Sequence, residues 1–160
     1  MTKAGYNITT EGLVASAAAA TAKTVLGVVG PASFGVDLKG FWIDFDGVTA
    51  SEKPWLVEVC YATFATNPPG TSSTGVGENQ IYGRSIVAGF VGAKTWTAEP
   101  TVLTVIDAFS LDPNKGLFRY DWPLKGQEPQ RDGNGTYCKD HRTEALTPRC
   151  KEIYRGVQAS

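Results

Sequence analysis

The sequence predicts an all-β fold: an antiparallel β-sandwich or jelly roll carrying an extended N-terminal arm and a polar C-terminal tail. Three observations lead there. From Lys23 to Leu124, β-branched and aromatic residues recur in short runs punctuated by Gly and Pro, the pattern of strands joined by turns. The runs leave no room for crossover helices, which favours antiparallel layers over βαβ units. On either side the composition changes: small residues before Lys23, polar ones after Lys125. The expected organisation is an arm over 1–23, a β-sandwich domain over 24–125, and a polar tail or extended arm over 126–160.

Residues 1–23 consist mainly of Ala, Thr, Ser and Gly. So few large side chains cannot offset the entropy of ordering the segment alone. Its sizeable anchors are Tyr6, Ile8, Leu13 and Val14, the candidate contacts to a partner surface. The stretch from Glu11 to Ala22 has helix propensity, but an isolated helix of about a dozen residues is marginal in water, so it is expected to order against a partner.

In KGFWIDF, Lys39, Phe41, Ile43 and Phe45 share one face of a strand, with Gly40, Trp42 and Asp44 on the other. WLVEVCYATF, residues 55–64, places Trp55, Val57, Val59 and Tyr61 opposite Leu56, Glu58, Cys60 and Ala62. Between them, Asp46-Gly47 is turn chemistry. Further strands are expected at Gln80–Phe90, Val102–Leu111 and Leu117–Trp122, with NPPGTSSTGVGENQ, residues 67–80, as a long loop. Beyond Lys125 no alternation marks a strand.

The chain of 160 residues is one domain's length, enough to bury roughly two thirds of its unfolded surface without disulfides. Fifteen Lys and Arg against sixteen Asp and Glu provide no basic footprint for counterion release, so a nucleic-acid partner is not expected. The most apolar early run, Leu13–Ala22, falls short of the ~20 residues a membrane helix needs, and no membrane partner is expected. Cys60 lies in an apolar run, as a buried thiol does, and an odd cysteine count favours a reducing compartment.

No catalytic constellation stands out. His141, the single histidine, lies among charged residues, where a solvated ring is commoner than a triad member. Cys138, His141 and Cys150 are three soft ligands where structural zinc takes four. Asp44-Phe45-Asp46-Gly47 opens like a calcium loop, but the twelfth position is Trp55 where a glutamate is required. Gly75-Val76-Gly77 lacks the third glycine and the helix of a phosphate cradle. The chain is therefore read as a non-enzyme with no cofactor and no metal. A hydrolase built on a carboxylate pair and a carbohydrate-binding sandwich using exposed tryptophans are the chemical alternatives.

Two segments, FDGVTASEKPWLVEVCYATFAT (45–66) and EPTVLTVIDAFSLDPNKGLFRYDWPLKGQEP (99–129), resemble a family of small minor capsid or decoration proteins of tailed phages that infect actinobacteria. Phe45–Ser51, Pro54, Leu56–Cys60, Glu99–Thr104, Gly116 and Pro123-Leu124 match the family pattern in place, while Lys125 interrupts its last motif. That family closes its domain with an apolar strand pair, where this chain continues into polar sequence. The resemblance implies a virion protein assembled in the bacterial cytoplasm. It would sit on the capsid exterior as a homotrimer bound to the major capsid protein. A tail or baseplate component is the alternative within the same class.

Overall fold

A computed structural model of the chain describes residues 4–12, 14–15, 22–30, 36–46, 54–63, 66–122, 130–131, 135–141 and 149–159. In chain order the strands are β1 (Ala4–Thr9), β2 (Val14–Ala15), β3 (Lys23–Val29), β4 (Val36–Leu38), β5 (Gly40–Asp46), β6 (Trp55–Thr63) and β7 (Thr74–Val76). There follow β8 (Asn79–Tyr82), β9 (Val91–Lys94), β10 (Val102–Leu111), β11 (Phe118–Asp121), β12 (Gln130–Arg131), β13 (Gly135–His141) and β14 (Arg149–Ala159). A 3₁₀ turn, Pro113–Lys115, separates β10 from β11. Among the described residues there is no α-helix, as the sequence predicts.

Every strand pair is antiparallel. One sheet runs β11-β5-β14-β1-β8, with β4 and β2 also on β14 and β12 on β4; the other runs β10-β6-β13-β3-β9-β7. The main strands β1, β3, β5, β6, β10, β11, β13 and β14 pair from the ends inward: β1 with β14, β3 with β13, β5 with β11, β6 with β10. One long hairpin folded over on itself so that successive pairs fall in alternate sheets is a jelly roll. Among the described residues no barrel closes: β10 and β11 lie at one end of their sheets, β7 and β8 at the other.

The two sheets share one core. Tyr6, Ile8, Phe41, Ile43 and Phe45 from the first meet Leu26, Val28, Trp55, Val57 and Val59 from the second. Phe45 packs on Trp55 with ring centroids 5.4 Å apart, and Phe109 of β10 on Tyr120 of β11 at 4.8 Å. The alternation in KGFWIDF and in the first half of WLVEVCYATF separates core from outer face as expected, but Lys39 precedes β5 and is half-buried, and beyond Val59 the pattern departs, with Tyr61 half-buried and Cys60 and Ala62 buried on the opposite face. A smaller cluster of Cys60, Ala62, Ala93 and Trp96, with Leu103 against it, forms on the opposite face of β6.

Three expectations are corrected. Residues 4–9 are no arm: β1 lies between β14 and β8, with Tyr6 2% and Ile8 0% exposed. A short segment poor in large residues can still be core when the few it has alternate, as Ala4, Tyr6 and Ile8 do. Of the other two proposed anchors, Val14 lies in β2 and Leu13 falls outside the described residues. Second, the stretch after 125 carries backbone pairs to both sheets: β13 between β6 and β3, β14 between β5 and β1. These are the roll's closing strands, so the domain extends beyond the expected 24–125. Their mixed sequences, GTYCKDH and RCKEIYRGVQA, hide them because main-chain pairing demands no particular side chain. Third, the strand expected over Gln80–Phe90 stops at Tyr82, since Gly83 and Gly89 adopt positive φ. The Asp46-Gly47 turn and most of Glu11–Ala22 lie outside the described residues.

Candidate interaction surfaces

Among the described residues, all the exposed large apolar side chains but Leu56 of β6 lie toward the two ends of the sheets. At the β7/β8 end, the segment 81–91 runs from the first sheet to the second and exposes Ile81, Tyr82, Ile86, Val87 and Val91, with Val87 93% exposed. Its backbone is held in place from several sides. The Tyr6 hydroxyl donates to the Ile86 carbonyl at 2.6 Å, and the Gln80 side-chain amide donates to the carbonyls of Tyr82 (3.2 Å) and Arg84 (2.8 Å). Phe90 is buried edge-on against Tyr6, ring centroids 5.4 Å apart. The Tyr82 ring lies over Gly5, where a Cβ would come within 2.1 Å of it. Burial of Tyr6 and Phe90 thus anchors a loop whose apolar tips stay in water, the arrangement of a contact surface rather than of a core.

At the opposite end, β10 is the edge of its sheet and exposes Val102, Val105 and Ile106, and Leu117 follows the 3₁₀ turn at 61% exposure. Ile106 is the extra residue of a bulge, since Val105 pairs with Cys60 and Asp107 with Val59. Asp107 caps the next N–H, accepting from Ala108 at 2.9 Å. A bulge and a charge in mid-strand are devices that discourage another strand from adding to an edge. What this end offers is apolar side chains.

The long polar loop of the sequence is structural. Asn67 and Ser72 hold positive φ, and Asn67 links three elements: its carbonyl accepts from the Trp96 indole at 3.1 Å, its amide donates to the Glu99 carbonyl at 2.8 Å, and its side-chain oxygen accepts from Ser72 at 3.3 Å. Glu99 in turn receives the Thr24 N–H at 2.7 Å on one carboxylate oxygen and the Thr24 hydroxyl on the other. The Gly77 N–H, which a phosphate cradle would need, donates to Glu11 at 3.1 Å. That bond, reinforced by Lys94 3.5 Å away, holds the Glu11 carboxyl below its ordinary value.

Among the described residues, no three His, Cys, Asp or Glu side chains converge on a metal-binding geometry. Of the four tryptophans, Trp55 and Trp96 are buried, while Trp42 and Trp122 are half-buried. Trp42 lies on the outer face of its sheet, in register with Arg119, whose guanidinium meets Asp121 at 2.6 Å. Segment 81–91 was not singled out by the sequence. The available signal is a short apolar run, Ile86-Val87-Ala88, lying between Gly83 and Gly89 and showing no alternation.

Comparison of the chain with protein-family models, curated proteins and solved structures found no match.

Proposed function

We propose that this chain is a non-enzymatic structural protein of a tailed-phage virion, which binds the major capsid protein on the outer surface of the shell as a homotrimer and stabilises it. The observation that carries this reading is where the two resembling segments lie. One contributes β6 and the other β10 and β11, and β6 and β10 pair along their length from Trp55–Leu111 to Thr63–Val102. Two resembling pieces far apart in sequence thus lie side by side in the fold. Jelly rolls host many functions, but this one puts its unassigned apolar surface at its two ends, as a protein does whose work is contact area. Trp42 beside the Arg119–Asp121 pair favours a second reading, a carbohydrate-binding face.

The test is cryo-electron microscopy of virions from the encoding phage, with mass spectrometry of separated heads and tails. The expected result is jelly-roll density on the outer capsid lattice and peptides of this chain in the heads. Recovery with tails alone, or absence from virions, overturns the proposal. Glycan-dependent quenching of Trp42 fluorescence would move the reading to the carbohydrate face.

A further inference from the structure

We propose that copies of this chain associate head-to-tail, the 81–91 loop of one copy packing on the β10 end of the next. The inference rests on the two surfaces described above and holds wherever the protein is carried.

Each surface is apolar, and they lie at opposite ends of the same sheets. Five strands span the first sheet from β11 to β8; at a spacing of about 4.8 Å the ends stand roughly 20 Å apart. The ends are aligned across the sandwich, because Phe109 of β10 meets Phe118 of β11 at 5.3 Å and Phe90 beside β9 meets Tyr6 of β1 at 5.4 Å. One copy therefore cannot cover its own two surfaces. A neighbour in the same orientation brings a loop end to a β10 end.

Charge selects this pairing over like-with-like. Arg84 is the single charged residue of segment 79–91, and Asp107 the single charged residue of β10. A loop against a loop opposes two arginines, and β10 against β10 opposes two aspartates; loop against β10 opposes Arg84 and Asp107. The Ile106 bulge and the capped Ala108 N–H also disfavour β10 joining a second β10 through backbone pairing. A contact between two different patches is heterologous: repeated, it closes into a ring where the rotation between copies closes, and otherwise runs on as an open chain.

The test uses the full chain and two variants, Val87→Asp on the loop and Ile106→Asp at the bulge, each placed on an exposed side chain. Wild type is expected to sediment as an oligomer larger than a dimer at high concentration. Each variant alone is expected to be monomeric, its dissociation constant raised more than tenfold, with an unchanged melting curve. An equimolar mixture is expected to form a one-to-one heterodimer, because the intact loop of Ile106→Asp meets the intact β10 end of Val87→Asp. A monomeric wild type overturns the inference. So does a mixture that stays monomeric, or either variant retaining the wild-type mass. If a variant melts early, Arg84→Asp and Asp107→Arg replace the pair: each alone is expected to be monomeric, and their mixture to build oligomers in which the two variants alternate, because both junctions then oppose opposite charges; a mixture that stays monomeric overturns the inference.

Discussion

Removing residues 1–10 should unfold this domain, and the magnitude can be worked from β1. Tyr6 and Ile8 are buried between the sheets, and the Tyr6 hydroxyl holds the Ile86 carbonyl. Two such side chains contribute about 1.5–3 kcal/mol each, and the hydrogen bond about 1 kcal/mol. The sum, about 4–7 kcal/mol, is comparable with the ~5–15 kcal/mol that separates most domains from their unfolded state. The deletion also strips β8 and β14 of a partner strand and releases the 81–91 loop. The milder form of the experiment is Ile8→Ala, expected to cost about 2–5 kcal/mol and so to lower the urea midpoint by about 1–2 M. Tryptophan fluorescence and far-ultraviolet circular dichroism in urea read both effects, Trp55 reporting on the core. A truncated protein that unfolds cooperatively at the wild-type midpoint would refute the reasoning, because it would mean that Tyr6 and Ile8 do not support the core and that the segment is an arm after all.

Two further outcomes are expected. Glu99→Gln replaces a carboxylate that accepts from both the Thr24 N–H and hydroxyl with one acceptor and one amide donor; the cost should be about 1–3 kcal/mol, read as a lower melting temperature with earlier proteolysis at residues 67–73. Glu11 has a folded pKa below its unfolded value, so its contribution is present above the unfolded pKa and lost as pH falls through the folded one: a melting-temperature gap between wild type and Glu11→Gln should exist at neutral pH and close in acid, and a gap independent of pH would contradict it.

By itself the sequence determined the fold class and the strands whose faces differ. Phe41, Ile43 and Phe45, and Trp55, Val57 and Val59, declare their core face because one side of each strand meets the other sheet and must be apolar. Val102–Leu111 was legible to the residue, since turn residues bound it. The loop expected over 67–80 holds only as far as Ser73, since Thr74–Val76 and Asn79–Gln80 are strand, and the rigidity of its first half comes from bonds to Trp96 and Glu99, residues far along the chain. Only the tertiary structure decided that β1 is core, that β13 and β14 close the roll, and that the 81–91 segment is an anchored loop. The physical reason is common to all three. Their roles rest on partners distant in sequence, the Tyr6 side chain on Phe90 and Ile86, β14 on β1 and β5, β13 on β3 and β6; the alternation of Ala4, Tyr6 and Ile8 is a mark too short to separate core from arm, and the main-chain pairing of β13 and β14 leaves none. Nor could the sequence show two apolar surfaces facing apart, because the separation between Val87 and Ile106 is set by the strands lying between them and not by the residues that join them.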